Sequence, residues 1–295
     1  MTSALRIAKA SIGVGLTVLA IKTLAWWVTG SIALFSDALE SIVNVATATA
    51  ALVALRVAHR PADDKHPFGH HKAEYVSAVL EGVLIVLAAV LIMRSSVLGL
   101  LNPQPLDAPF AGLAINLIAS IINGVWAFVL LRAGREHTSP ALAADGRHLM
   151  SDVVSSVGVT IGVAAAVLTG WLWLDPVLAA MVAVNVLWSG WIVIRGSVGG
   201  LMDESVPEMD LEKMRALVLD SAKGAIEAHD LRARHAGAAT FIEFHLVVPE
   251  DMTVFDAHVI CDRVEAALRD GIDHCTVTIH VEPEHKAKPS AALVI

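Results

Sequence analysis

Charged residues and cysteines are both scarce in this sequence. Of 295 residues, only 17% are Asp, Glu, Lys or Arg and 56% are hydrophobic, whereas about a quarter of a typical soluble domain is charged. Cys261 and Cys275 are too few for a disulfide framework. The net charge of -8 lacks the basic excess of a nucleic-acid-binding protein, so nucleic acid is not an expected partner. This composition indicates a membrane protein.

Long apolar runs fill the first two-thirds of the chain. A helix needs about 20 mostly apolar residues to span a bilayer. Six segments qualify, at about residues 10–29, 32–57, 75–100, 110–133, 142–169 and 176–196. The first is interpreted as a retained span, because Arg6 and Lys9 precede it and no small-residue cleavage site follows at the distance of a signal peptide.

The distribution of Lys and Arg predicts the orientation of these segments. Both residue types are concentrated after the second and fourth segments, and Arg195 closes the sixth. The positive-inside rule assigns these connections to the cytoplasm. We therefore expect a lipid-embedded domain of six transmembrane helices over residues 1–202, with both termini cytoplasmic.

The sequence becomes more polar after the sixth segment. Helical and alternating patterns predict a helix, two strands around a Gly turn, a second helix and a third strand, in the order α-β-β-α-β. In the second strand, the alternation of apolar and polar residues predicts that Phe244 lies in the core and His245 on the opposite face. In the third strand, it predicts that Val281 is buried. We expect a small cytoplasmic α+β domain over residues 203–288 and a disordered tail over residues 289–295.

Two of the apolar segments carry polar side chains at helical spacing. There are three in the second segment and three in the fifth, namely Asp37, Glu40 and Asn44, and Asp145, His148 and Asp152. Residues at positions i, i+3 and i+7 lie within about 60° on one face of a helix. An ionisable residue at the bilayer centre costs at least ~2.5 kcal/mol, so two such stripes need an explanation.

Two interpretations of the stripes are open. In one, the stripes form structural hydrogen bonds with each other or with Lys22, which is expected to pair with an acid of a neighbouring helix. In the other, they supply ligands from two helices to one divalent cation, and imidazole suits zinc, iron or cobalt. The second is favoured because the stripes match. Since the ligands must lose protons to bind, metal and protons compete for the same atoms, which is the physical basis of exchange transport.

Several motifs are spread over nearly the whole chain. They are TGSIALFSDALESIVNV, the loop PADDKHPFGHHKAE, HLMSD in the fifth segment, and HDLR, FHL, DAH and IHVE further on. Together they resemble the cation diffusion facilitator family, most of all its bacterial zinc and iron efflux branch. The resemblance implies a homodimer in the inner (plasma) membrane of a bacterium, a metallochaperone-like cytoplasmic domain, and exchange of metal for protons.

The resemblance also implies three metal sites. Their members, position by position, are Glu40, Asn44, His148 and Asp152 with Asp37 as an additional candidate (transport site), Asp63, His66 and His70 (loop site), and His229, His245, His258, His280 and Glu282 (cytoplasmic site). Family members generally have Asp or His at the first transport position and Asp at the second. Glu40 and the neutral amide of Asn44 depart from that pattern. The alternative for the other two sites is that their histidines are ordinary surface residues.

Two functions follow from these features. The favoured one is export of a divalent transition metal, Zn²⁺ before Fe²⁺, by proton antiport, with the same ions as structural or regulatory ligands of the cytoplasmic domain. The alternative is a membrane-tethered metal sensor or scaffold with a degenerate transport site, which Asn44 makes conceivable. An enzyme is not expected, because the sequence contains neither HExxH nor GxxxxGK[ST].

Overall fold

The computed structural model describes residues 3–29, 32–102, 109–171, 173–288 and 293–294. Its chain divides into two compact units, Met1–Val198 and Gly199–Ile295. The predicted domain boundary lies slightly later, after residue 202. It follows the end of the last long helix at Leu201, which extends beyond the first unit.

Six long helices build the described part of the first unit. They are α1 (Ser3–Thr29), α2 (Ile32–Ala58), α3 (Ala73–Leu101), α4 (Pro109–Glu136), α5 (Pro140–Thr169) and α6 (Leu174–Leu201). Five of them, α1, α2, α3, α4 and α6, are long and apolar enough to cross a membrane. The remaining helix, α5, is 30 residues long and carries the second polar stripe. The prediction of a helical transmembrane domain is confirmed.

The packing of α1, α2, α4 and α5 forms the main core of this unit. Small and aliphatic side chains meet there, including Ala8 of α1, Leu55 of α2, Leu130 of α4 and Leu142 of α5. Gly146 lets α5 approach α4 closely, since a Cβ at this position would lie 2.9 Å from the backbone nitrogen of Leu131. Close backbone approach at small residues is typical of helix contacts in membranes.

Two glycines bring α3 and α6 together. A Cβ on Gly82 would lie 3.1 Å from the carbonyl oxygen of Gly190, and one on Gly190 would lie 3.2 Å from the carbonyl oxygen of Gly82. Next to them, Ile85 of α3 and Val186 of α6 are fully buried against each other. The backbones of α3 and α6 are therefore in contact where these glycines meet.

The second unit is a four-stranded sheet with two helices. Its elements are α7 (Glu208–Ser221), β1 (Glu227–Ala236), β2 (Ala239–Val248), α8 (Val254–Gly271), β3 (Cys275–Pro283), a short 3-10 helix (Glu284–Lys286) and β4 (Leu293–Val294). The strand order is β3-β2-β1-β4. β2 pairs antiparallel with β1 and parallel with β3, and β4 pairs antiparallel with β1. This confirms the predicted α-β-β-α-β order.

The two helices of this unit cover one face of its sheet. Met214 of α7 and Val264 of α8 pack on Phe244 of β2 in the main core cluster. Both helices therefore lie on the face opposite His245, because neighbouring residues of a strand point to opposite faces.

Two details of this unit differ from the expectations. Val281 is 39% exposed instead of buried, because it lies at the end of the edge strand β3, beyond Val277, which packs on the core. In the predicted disordered tail, Leu293 and Val294 form β4 and pair with Ala228 and Glu227. Residues 289–292 and 295 of that tail lie outside the described residues.

The α3–α6 contact generates a first prediction. Gly190→Ala should destabilise the full-length protein by ~1–3 kcal/mol, because the added Cβ overpacks the contact with α3. Gly196→Ala on the same helix is the matched control, since a Cβ there would meet no atom of the described residues within 4 Å. Thermal unfolding in detergent measures the difference. Equal midpoints for the two variants would contradict the described packing.

Candidate metal sites

Four of the residues assigned to the transport site meet between α2 and α5. All are buried, with exposures of 4% for Glu40, 5% for Asn44, and 0% for His148 and Asp152. Asn44 Nδ2 donates a hydrogen bond to Asp152 Oδ2 at 2.5 Å, and His148 Nδ1 lies 3.6 Å from Asp152 Oδ1. Glu40 is an electrostatic neighbour of Asp152. We call these four residues the α2–α5 cluster.

The α2–α5 cluster leaves several polar atoms without partners. Among the residues that the structure describes, nothing hydrogen-bonds to Glu40 Oε1, Asn44 Oδ1, Asp152 Oδ1 or either ring nitrogen of His148. Buried polar atoms are normally hydrogen-bonded, so a group of unpartnered ones needs an explanation. One nitrogen and three oxygen donors from two helices fit a divalent transition metal.

Asp37 is engaged outside the α2–α5 cluster. Its Oδ1 forms an ion pair with Lys22 Nζ of α1 at 2.8 Å, and both side chains are buried. The expected pairing of Lys22 with an acid of a neighbouring helix is confirmed. Asp37 Oδ2 has no hydrogen-bond partner within the described ranges.

Asp145, the remaining polar residue of the α5 stripe, faces α1. It accepts a hydrogen bond from Ser11 Oγ at 2.8 Å, and Ser11 Oγ accepts one from Trp126 Nε1 of α4 at 3.0 Å. Asp145 lines a small cavity together with Ser11, Asn44 and Asn123. The stripe therefore divides, with His148 and Asp152 directed to α2 and Asp145 hydrogen-bonded to α1.

Sequence reasoning missed Glu81 of α3. It is 2% exposed, and neither carboxylate oxygen has a hydrogen-bond partner in the described part of the chain. Its charged neighbours are Asp145, Arg147 and Asp152 of α5. A lone acid in an apolar span is itself a signal that could have found it, because ionisable residues in a membrane are rare and usually functional.

The loop between α2 and α3 brings together Asp63, His66 and His70. Asp63 Oδ1 accepts hydrogen bonds from the backbone nitrogens of His66 at 2.7 Å and Lys65 at 3.0 Å. Asp63 Oδ1 lies 3.0 Å from His66 Nδ1, and its Oδ2 lies 3.5 Å from His70 Nε2. The side-chain hydrogen bond with His66 lowers the pKa of Asp63. The carboxylate therefore stays ionised at neutral pH, as a metal ligand requires.

Gly69 permits the turn that brings His70 back to Asp63. Its φ is +83°, which residues with a side chain rarely adopt, and a Cβ there would lie 3.0 Å from His71 Nε2. The ring centroids of His66 and His70 are consequently 4.3 Å apart. The three donors form one compact group that could hold an ion.

Three histidines form a row across the sheet of the second unit. The register places His229 of β1 opposite His245 of β2, and His245 opposite His280 of β3. Their ring centroids are 5.2 Å apart in the first pair and 4.9 Å apart in the second. The row includes the polar position of β2, so it lies on the face that α7 and α8 leave uncovered.

Glu282 adds a carboxylate to the histidine row. Its oxygens lie 3.3 Å from His229 Nε2, 3.3 Å from His245 Nδ1 and 3.7 Å from His280 Nε2. His229 Nε2, His245 Nδ1 and Glu282 Oε2 are unpartnered among the described residues. Unpartnered imidazole nitrogens beside a carboxylate fit a divalent cation such as zinc. Four of the five residues assigned to this site are thus brought together.

Two acids beside the row were not found from the sequence. Glu227 Oε1 lies 3.0 Å from His229 Nδ1, where a carboxylate orients the ring of a ligand histidine. Asp230 groups with His229 and His245 as a potential donor. It has a φ of +54° where the pairing of β1 with β2 shifts register. A bulge interrupts the alternation from which faces are predicted, so the pattern could not indicate Asp230.

The structure does not bring His258 into the histidine row. Its side chain is 73% exposed, and Asp262 of the same helix lies 3.7 Å from it. Its helix packs on the core face of the sheet through Ile260 and Val264, whereas the row lies on the opposite face. Within one chain, the sheet separates His258 from the other histidines.

Comparison with known families identifies the architecture. Residues 8–202 match the cation efflux transmembrane domain, and residues 206–284 match the cytoplasmic domain of cation efflux proteins. The chain therefore belongs to the cation efflux family, also called the cation diffusion facilitator family, as its motifs predicted. It is a multi-pass membrane protein for the efflux of divalent metal cations, with a cytoplasmic dimerisation domain, and it is not an enzyme.

Individual relatives extend over nearly the whole chain. The uncharacterized transporter sll1263 of Synechocystis sp. is 45% identical over 273 residues, which is 92% of this chain and 88% of the relative. The cation-efflux pump FieF of Salmonella arizonae is 30% identical over 278 residues, 94% of this chain and 92% of the relative. A structure of CzrB, a candidate zinc transporter, in its Zn form is 45% identical in sequence to this chain. The match covers 29% of this chain and 98% of the CzrB chain, with a TM-score of 0.28.

The histidine row generates a second prediction. Glu282→Ala should weaken Zn²⁺ binding at the cytoplasmic site at least about tenfold, because the carboxylate contacts three imidazoles. Glu250→Ala is the control, since this exposed acid pairs only with His285 in the described structure, at 3.0 Å. Calorimetric titration of the full-length protein with Zn²⁺ measures the effect. Equal Zn²⁺ affinity in the two variants would show that the row does not bind the ion.

Proposed function

We propose that the protein exports Zn²⁺, and Fe²⁺ as the second choice, from the cytoplasm by proton antiport. The observation that carries this proposal is the α2–α5 cluster. It gathers a histidine, two carboxylic acids and an amide from two membrane helices, and each of them has a donor atom without a partner among the described residues. An isolated structural network would leave fewer of these buried atoms unsatisfied.

The donor set favours a borderline transition metal. His148 offers an imidazole nitrogen, which suits zinc and iron better than calcium or magnesium. Glu40 and Asp152 offer carboxylate oxygens, and Asn44 offers a neutral carbonyl oxygen. The name of FieF as a cation-efflux pump agrees with a cation as the substrate.

Charge balance supports exchange of the metal for protons. When both are ionised, Glu40 and Asp152 carry two negative charges, which one divalent cation neutralises. Two buried carboxylates beside each other repel when both are ionised, and either a divalent cation or protons on the same oxygens relieve that repulsion. Protons that enter from the outer side displace the metal from the same atoms.

The other two sites have supporting roles in this proposal. The protein works as a homodimer in a bacterial inner membrane, with both termini in the cytoplasm. Zn²⁺ bound by the histidine row neutralises acidic side chains of the cytoplasmic domain and so favours association of the two protomers. The Asp63–His66–His70 loop binds a further ion and fixes the connection between α2 and α3.

Transport by purified protein is the direct test. In proteoliposomes with an imposed pH gradient, Zn²⁺ flux should follow the gradient in the wild-type protein. Asp152→Ala should reduce it by about two orders of magnitude or more, because the central residue of the α2–α5 cluster is lost. Glu136→Ala is the control, since this exposed acid at the end of α4 pairs with Arg132. Undiminished flux in Asp152→Ala would exclude the α2–α5 cluster as the transport site.

One observation favours the alternative function of a metal sensor. Asn44 occupies an oxygen of Asp152 through a 2.5 Å hydrogen bond and adds no charge, as expected for a degenerate site. A sensor would bind Zn²⁺ through the histidine row, yet the wild-type proteoliposomes would show no flux at any pH gradient. The transport assay therefore separates the two functions.

A further inference from the structure

Lys22 is among the largest fully buried side chains of the chain. It lies in the middle of α1 with 1% exposure, and its ammonium group contacts Asp37 Oδ1 of α2 at 2.8 Å. A buried charge is very costly without a partner, and exchanging a buried ion pair for apolar residues is often neutral. The pair is therefore not needed for stability alone, which raises the question of what its charges act on.

The ammonium group of Lys22 lies near the α2–α5 cluster. Besides Asp37, its electrostatic neighbours are Glu40 and Asp152. Asp37 precedes Glu40 by three residues on α2, so the two acids lie on the same face of the helix. Asp37 Oδ2 has no hydrogen-bond partner within the described ranges. The Asp37 side chain as a whole is only 5% exposed. Without Lys22, Asp37 would be a third carboxylate beside the cluster.

We propose that Lys22 is a resident counter-charge that limits how tightly the α2–α5 cluster holds its metal. This inference rests on the proposed transport function. Glu40, Asp152 and Asp37 together carry three negative charges when ionised, and the Lys22 ammonium leaves two, which equals the charge of one divalent ion. Lys22 also keeps Asp37 engaged at 2.8 Å, so that Asp37 does not become a further ligand. Lys22 is thus a positioning residue that favours release of the metal.

This role predicts effects of opposite sign for the two members of the pair. In Lys22→Met, the uncompensated Asp37 should increase Zn²⁺ affinity at least about tenfold and slow the flux, because a unit charge several Å from a divalent ion in a partly dry site has a large effect. In Asp37→Asn, the unpaired ammonium should repel the ion and decrease affinity by a similar factor. The double variant Lys22→Met/Asp37→Asn should return affinity toward the wild-type value.

A purely structural pair would behave differently. Both single variants lose stability in either case, because each leaves a buried charge without its partner, but with a purely structural pair any change in Zn²⁺ affinity would have the same sign in both. The affinities are measured by competition with a chromophoric chelator, using full-length protein in detergent that carries Asp63→Ala and Glu282→Ala to remove the other two sites. Lys9→Met, at an exposed lysine of the same helix, is the control. If Lys22→Met fails to fold, Asp37→Asn and the double variant still give the sign.

The same assays separate failure of this inference from failure of the proposed function. Zn²⁺ affinity and flux that are unchanged in Asp152→Ala would overturn both, because the α2–α5 cluster would then not be the site. Loss of binding in Asp152→Ala supports the transport site. If binding is lost in Asp152→Ala, the variants Lys22→Met and Asp37→Asn then test the role of Lys22 alone. That role would be overturned if both variants left Zn²⁺ affinity unchanged or shifted it in the same direction.

Discussion

The hydrogen bond between Asn44 and Asp152 joins α2 and α5 inside an apolar bundle, and His148 and Glu40 lie beside it. Carboxylates and an imidazole removed from water cost several kcal/mol unless they find partners. Neighbouring helices supply some partners, such as Ser11 for Asp145. Others remain unsatisfied within the described ranges, and those atoms are the basis of the proposal that the bundle binds a cation.

The two units present similar donor chemistry on supports of different stiffness. In the membrane, the donors come from two separate helices that meet through side chains, so a small shift of one helix changes the site. In the cytoplasmic domain, His229, His245 and His280 stand on adjacent strands whose ladders of backbone hydrogen bonds fix their spacing. The first support suits an ion that must leave, and the second suits an ion that stays bound.

Much of the fold could be predicted because it follows from periodicity. Six apolar runs gave six helices, and alternation in β2 placed Phe244 and His245 on opposite faces. Periodicity shows which residues share a face of a helix or strand, but it does not show which other element that face contacts. The structure differs from the prediction in these contacts. Asp145 shares a stripe with His148 yet contacts α1, and His258 lies across the sheet from its expected partners. Asp230 was missed because a bulge interrupts the alternation, and Glu81 because its only signal is its place in an apolar span and not a spacing shared with other polar residues.

The pairing of β2 with both of its neighbours ties binding chemistry to folding. His245 is the middle member of the row, and Phe244, the residue before it, is 1% exposed in the core. Deleting or inserting a single residue upstream in β2 would turn the imidazole inward and the phenyl ring out to water. Such a change would disrupt the histidine row and the packing of the domain together, so length variation among natural homologues should be confined to the hairpin and helix ends.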